Sequence, residues 1–239
     1  MNKNNNQYCN TLDENFETAL KLVSENLSDK QLFLLLKSGN IPEKQIAALK
    51  ITKITSQDQA QILLDNLTGQ DGKIREAVSL KINEFMSNSA FLPYFKNTNA
   101  YDVFLEAIID INGNICRNII NAVSQLKTYS EFSKYFTQKL LQKTTALIDI
   151  VKQFDLQDGK YKVNKEVFKL YWCLETLYEF ANSADISDLK NVLSQTANIN
   201  DYTIREKTAK ILSLNFNDVE LEKIRQKLKQ DPNYYVRRY

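Results

Sequence analysis

DGKIREAVSLKINEF, residues 71–85, opens on an Asp, places Ile74 three positions later, and then returns Ala77, Val78, Ile82 and Phe85. Side chains on an α-helix repeat their direction every 3.6 residues, so these five share one face. An Asx three residues before the first of them can accept hydrogen bonds from the free amides of the first turn. The stretch predicts a capped, amphipathic helix.

The same arrangement returns along the chain. NGNICRNIINAVSQL (112–126), NDYTIREKTAKILSL (200–214) and DPNYYVRRY (231–239) put their first inward β-branched residue at Ile115, Ile204 and Val236. Each follows an Asx by three: Asn112, Asp201 and Asn233, as Asp71 precedes Ile74. A fainter copy, GKYKVNKEVFKLYWCLETL (159–177), puts Val163 in phase but has Lys160 where the Asx belongs. The anchors 74, 115, 163, 204 and 236 are spaced by 41, 48, 41 and 32 residues, the length of a two-helix unit. IPEKQIAALKITKI (41–54), with Pro42 suited to a first helical turn, reads as an earlier copy whose phase stays open.

Other punctuation agrees. Ser28 with Gln31 and Ser56 with Gln59 have the spacing of capping boxes, and Ala60, Leu63, Leu64 and Leu67 form a stripe that Gly69 would end. Ile119, Ala122, Val123 and Leu126 continue the face of Ile115, and Thr208, Ile211 and Leu212 that of Ile204; Leu221, Ile224 and Leu228 make another. No stretch alternates with period two, and the chain holds 5 Gly and 3 Pro in 239 residues, too few for the many special turns of a sandwich or barrel. The expectation is an all-α chain of about twelve helices, with irregular joints at 88–99 and 154–163. Residues 1–10 read as a disordered polar tail and 11–239 as one domain.

Asp or Asn, then Ile/Val-Arg, then a small residue and spaced leucines, at about 40 residues per unit, resembles HEAT repeats and the related armadillo and phycobilin-lyase-type repeats. The matching residues are Asp71, Ile74, Arg75 and Ala77; Asp201, Ile204, Arg205 and Ala209; and Asp231, Asn233, Val236 and Arg237. Cys116 departs from the pattern by standing where Arg is expected. The resemblance covers the chain from about Pro42 onward and implies a right-handed α-solenoid of about six helical hairpins. It also implies a structural role, in caps and in a polar ladder between units, for Asp71, Arg75, Asn112, Asp201, Arg205 and Asp231. Asp71 with Arg75, and Asp201 with Arg205, stand four apart, a spacing at which such pairs can meet on one helix.

Composition closes several routes. Histidine is absent, which removes His-dependent triads and the usual zinc sets, and Cys9, Cys116 and Cys173 are too scattered for a disulfide framework or zinc knuckle. No metal site, cofactor site or catalytic residue is encoded; the glycines lie outside phosphate-loop spacings. MNKNNNQYCN lacks the apolar stretch of a secretory signal, and the longest apolar run, Leu32 to Leu36, cannot cross a bilayer. The expectation is a soluble, cytoplasmic protein.

Three features could bind. Charge is uneven, with 12 Lys/Arg against 14 Asp/Glu in residues 1–120 and 19 against 15 beyond, so Lys223, Lys227, Arg237 and Arg238 fall in a basic half; a solvated face is the plainer reading. Aromatics crowd 161–180, where Tyr171 and Trp172 could anchor a ligand or simply fill the space between repeats. Tyr234, Tyr235, Val236 and Tyr239 read as a short stub capping the last hairpin. Together these point to a non-enzymatic scaffold that binds an unidentified protein or peptide. A nucleic-acid role like that of the HEAT-like alkylpurine DNA glycosylases, and a chromophore-lyase or chaperone-like role, are the alternatives that the resemblance implies.

Overall fold

The computed structural model describes residues 17–96, 98–154 and 160–239. The tail of residues 1–10, Cys9 and the side chain of Val163 lie outside them. Among the described residues every regular element is helical: α1 (17–24), α2 (Asp29–Ser38), α3 (Ile41–Lys50), α4 (Gln57–Asp65), α5 (Gly72–Met86), α6 (Thr98–Ala107) and α7 (Gly113–Ser124), then α8 (Ser130–Gln153), α9 (Lys160–Phe180), α10 (Ile186–Thr196), α11 (Tyr202–Leu212), α12 (Val219–Leu228) and α13 (Tyr234–Arg237). Three short 3-10 turns sit between them.

The helices start where local chemistry says they should. Asp71, Asn112, Asp201 and Asn233 each cap the helix that follows by accepting from its first amides, and Ile74, Ile115, Ile204 and Val236 are buried three residues on. Ser28 and Gln31 form the reciprocal box expected of them. Ser56 does half of this: its hydroxyl accepts from Gln59 N, but the Gln59 side chain turns to Thr55 instead. Asn40 and Glu43 form a reciprocal box at α3, which explains why that copy has no apolar anchor. The third position, apolar in the other units, holds the acid of the cap.

Some boundaries differ from the reading above. Helix α4 stops at its cap residue Asn66, and Gly69 turns the chain with φ 69° inside the following loop. The joint expected at 88–99 contains a 3-10 turn at Leu92–Tyr94 and already yields to α6 at Thr98, while α9 starts at Lys160, inside the joint expected at 154–163. Among the described residues the count reaches thirteen, the one-turn α13 included.

Packing makes the fold a stack of helical hairpins, as in HEAT and armadillo repeats. In chain order the described helices after α1 form six even–odd pairs, α2/α3 to α12/α13; α2/α3, α6/α7, α8/α9 and α10/α11 pack within the pair, while α5 and α13 pack on α3 and α11 instead. Odd helices pack on odd (α3, α5, α7, α9, α11, α13) and even on even (α8, α10, α12), in two layers, the odd layer being the tighter. One continuous apolar core runs between the layers from Leu32 to Val236. Each large aliphatic buried there contributes about 1.5–3 kcal/mol, and no hairpin could bury its face alone.

Candidate functional site

The turns between even and odd helices carry a polar ladder, but not by the pairing that four-residue spacing suggests. Arg75 donates from Nε to Asp110 Oδ2 at 2.7 Å and from Nη2 to Oδ1 at 3.2 Å, and its Nη1 bonds Gln70 O. Arg205 does the same with Asp231, at 2.6 and 3.3 Å, and its Nη1 bonds Ile199 O at 2.9 Å. Asp71 and Asp201 are occupied as caps, so each Arg reaches forward to the next hairpin. The receiving Asp stands two residues before the next cap and also accepts that cap's amide, Asn112 N or Asn233 N.

Lys44 holds the same register in α3 and donates to Asn66 and Gln70 of the following hairpin. Cys116 keeps only the inner half of the device, its thiol donating to Asp110 O at 3.1 Å, and cannot span to the next unit. The forward rung is therefore missing at α7 and returns at α11. At α7, Trp172 of α9 lies against Gly113 and beneath the Arg117 guanidinium, 5.8 Å from the ring centroid.

The solvent side of the odd layer from α7 to α11 gathers the richest chemistry. Trp172 is 6% exposed and its Nε1 has no hydrogen-bond partner among the described residues. Phe168 and Tyr171, both half-buried, meet its ring edge to face at 5.8 and 5.2 Å. Lys207 Nζ of α11 sits 4.5 Å over the Tyr171 ring and 2.8 Å from Glu175 Oε2; Lys210 Nζ sits 4.3 Å over Tyr178 and 2.7 Å from Glu175 Oε1. Burial pushes the Glu175 carboxyl up, but its two lysines outweigh that and hold it below the usual carboxylate range. Burial likewise pulls Lys207 down, and Glu175 and Tyr171 more than restore it.

The six residues that the sequence offered for binding fall in three places. Tyr171 and Trp172 are on this odd-layer face, and Arg238 is near its far end, bonded to Glu206 of α11 at 2.6 Å. Lys223 and Lys227 are on α12, in the even layer; Lys223 is exposed and Lys227 donates to Asn198. Arg237 belongs to the turn edge, donating from Nη1 to Asp231 O and Pro232 O. In the terminal stub Val236 is buried and Tyr239 packs half-buried against the core, while Tyr234 and Tyr235 are 66% and 50% exposed, so the expected cap is made by one valine and one tyrosine.

Glu175, Lys207, Lys210 and Arg117 escaped the sequence reading. A signal for Lys207 was present: it stands three after Ile204 and four before Ile211, in an inward register where a lysine needs a partner. Elsewhere, an open groove of about 750 Å³ runs between α8 and α10, lined by Lys134, Thr137, Gln138, Ser183 and Asp188 among others. Among the described residues no group of Cys, Asp or Glu could hold a metal ion, and no helix is long and apolar enough to cross a membrane.

No protein-family model matches the chain, and no curated protein matches it. Solved structures do. An engineered protein crystallised by a structural genomics consortium superposes with a TM-score of 0.53 at 14% identity, covering 89% of this chain and 95% of that one. A second engineered protein from the same source gives 0.44 at 13% (89% and 93% covered), and a designed armadillo repeat protein gives 0.43 at 15% (88% and 96% covered). The first of these likenesses concerns the fold alone.

Proposed function

We propose that the chain is a non-enzymatic interaction scaffold that holds an extended segment of another protein against the α7–α9–α11 face. The observation that carries this is the aromatic cluster: half-buried Phe168 and Tyr171 flank the Trp172 ring, which Arg117 roofs, and leave part of their own rings open to a bound segment. Aromatic clusters ringed by paired charges are the composition of binding hot spots. The rigid stack loses little entropy on binding.

A nucleic-acid role is less well supported, because Lys207, Lys210 and Arg238 already carry carboxylate partners, Glu175 and Glu206. A phosphate backbone would have to displace them. The cytoplasmic location and the unity of residues 11–239 as one domain belong to the same proposal; a fluorescent fusion and the number of calorimetric transitions check them.

The test places a photo-crosslinking amino acid at Tyr171 and, separately, at Lys223 on the opposite layer, in cells expressing the full chain. Discrete adducts from position 171 and none from 223 are expected. Equal labelling from both, or none from 171 in a folded variant, overturns the proposal, and tight salt-sensitive binding to duplex DNA would replace it.

A further inference from the structure

Helix α8 starts without the device that opens its neighbours. Where cap residue and first turn are both described, α2, α3, α4, α5, α7, α10, α11, α12 and α13 each have a side-chain oxygen bonded to an amide of that turn. Helix α8, 24 residues long, has Tyr129 at its cap and no such bond. Ser133 N reaches Tyr129 O, while the amides of Ser130, Glu131 and Phe132 bond to nothing among the described residues. A cleft of about 390 Å³ lies at this end of the helix, lined by Thr128 to Phe132 together with Lys96 and Tyr101.

An uncapped start alone would leave those amides to water, and Tyr101 adds an independent sign. Its side chain is 5% exposed, with the ring packed on Phe132 and Tyr135 at 4.9 and 4.8 Å, yet its hydroxyl bonds to nothing among the described residues. A hydroxyl held this deep ordinarily has a partner. Burial, with Glu131 and Tyr135 nearby, pushes its ionisation up, so it remains a donor. Lys96 is exposed, has no carboxylate partner among the described residues, and stands 5.0 Å from the Tyr129 ring centroid. Against these donors the lining holds one acid, the exposed Glu131.

Free amides at the positive end of a helix favour an anion, and a phosphate brings more oxygens and more charge to such a ring of donors than a carboxylate does. We propose that this cleft binds the phosphate group of a phosphomonoester, with the amides of Ser130, Glu131 and Phe132 and the Tyr101 hydroxyl donating to its oxygens and Lys96 supplying the countercharge. The cleft is larger than a phosphate group and leaves room for the ester's carbon side, whether that is a small molecule or a phosphorylated side chain. None of these residues belongs to the α7–α9–α11 face, so the two proposals fail separately.

The test titrates the isotope-labelled full chain with phosphoserine, with inorganic phosphate and, at matched ionic strength, with sodium chloride, following amide resonances by NMR. Saturable shifts at Ser130, Glu131 and Phe132 are expected from the two phosphates and not from chloride. Lys96→Ala and Tyr101→Phe, the second of which keeps the packed ring, should each weaken binding about fivefold. Glu131→Gln should tighten it, and Lys134→Ala, in the neighbouring groove, should change it less than about twofold. A short peptide carrying phosphoserine separates the sources: tighter binding than free phosphoserine assigns the phosphate to a segment of a partner, and equal binding to a small ester. Shifts that chloride reproduces, shifts that neither Lys96→Ala nor Tyr101→Phe weakens, binding that Glu131→Gln weakens, or no saturable shift at all overturns the proposal.

Discussion

Arg205 donates from Nε to Asp231 Oδ2 at 2.6 Å across 26 positions of sequence, while Asp201, four residues behind it, caps its helix instead. The pair is mostly buried, with side chains 16% and 6% exposed, and it couples one hairpin to the next. Arg205→Ala leaves the Asp231 carboxylate buried without its partner and is expected to cost about 2 kcal/mol. In a double-mutant cycle with Asp231→Asn, denaturant unfolding should show about 1–2 kcal/mol of coupling, whereas Arg205 with Asp201→Asn should show close to none.

Acid should release the ladder. Burial pushes Asp231 up, but the Arg205 hydrogen bond and the Asn233 amide outweigh it, so the carboxyl lies below its usual range, as Glu175 does between its lysines. A folded-state value below the unfolded one means that the stabilisation is complete above about pH 4 and is lost as pH falls through the folded value. Lys207 is raised, so its share is complete below about pH 10 and is lost as pH climbs past its folded value. Thermal midpoints measured across pH should be flat near neutrality and fall at both extremes, with a shallower acid limb in Asp231→Asn.

Two glycines should respond oppositely to alanine. A Cβ on Gly39 would stand 2.6 Å from Leu35 O and 2.8 Å from Glu43 Cβ, between α2 and the capping box of α3. Gly39→Ala is expected to cost about 1–3 kcal/mol by overpacking. Gly72 has nothing within 4 Å of that position and opens α5, so Gly72→Ala should be neutral or stabilising by up to about 1 kcal/mol. Chemical denaturation of the two variants decides it.

Lys50 ties the first helix to the stack. Its ammonium bonds Leu22 O, Val23 O and Glu25 O at the end of α1, satisfying carbonyls that the helix leaves open. Lys50→Met should leave residues 17–24 exchanging amide hydrogen at least tenfold faster, with α5 to α13 unchanged.

Cys116 and Cys173 are buried, and burial pushes both thiols up to about 12. Neither should react with a thiol reagent at pH 8 in the native protein. Labelling of these two in denaturant should track unfolding, and fast native labelling at either would contradict the packing described.

The sequence was most legible where one residue type has one mechanical job. Asx caps and the β-branched anchors after them identified α5, α7, α11 and α13 to the residue, because cap and anchor are both local and periodic. Two kinds of feature resisted. The Arg75–Asp110 and Arg205–Asp231 rungs join residues 35 and 26 apart, and a four-residue Asp–Arg spacing offered a local partner that the cap chemistry had already taken. The α3 copy had no readable phase because Glu43 serves the cap at the position of the anchor. At the aromatic face Tyr171 and Trp172 were visible as types, but Glu175, Lys207 and Lys210 become a group only when α11 is laid beside α9.

Cys116 leaves the joint between α7 and α9 without a turn-side rung. Lateral ties hold α3 to the turn before α5, α5 to the turn before α7, and α11 to the turn before α13, whereas α7 meets α9 through Trp172 and Gly113. Under tension between its ends, a stack built this way does not stretch evenly. Where the turn-side rung is missing, load passes instead through Lys139 with Asp102, Lys143 with Glu106 and Lys127 with Glu179, more exposed ion pairs that salt weakens, so ionic strength tunes the stiffness of this joint more than that of its neighbours.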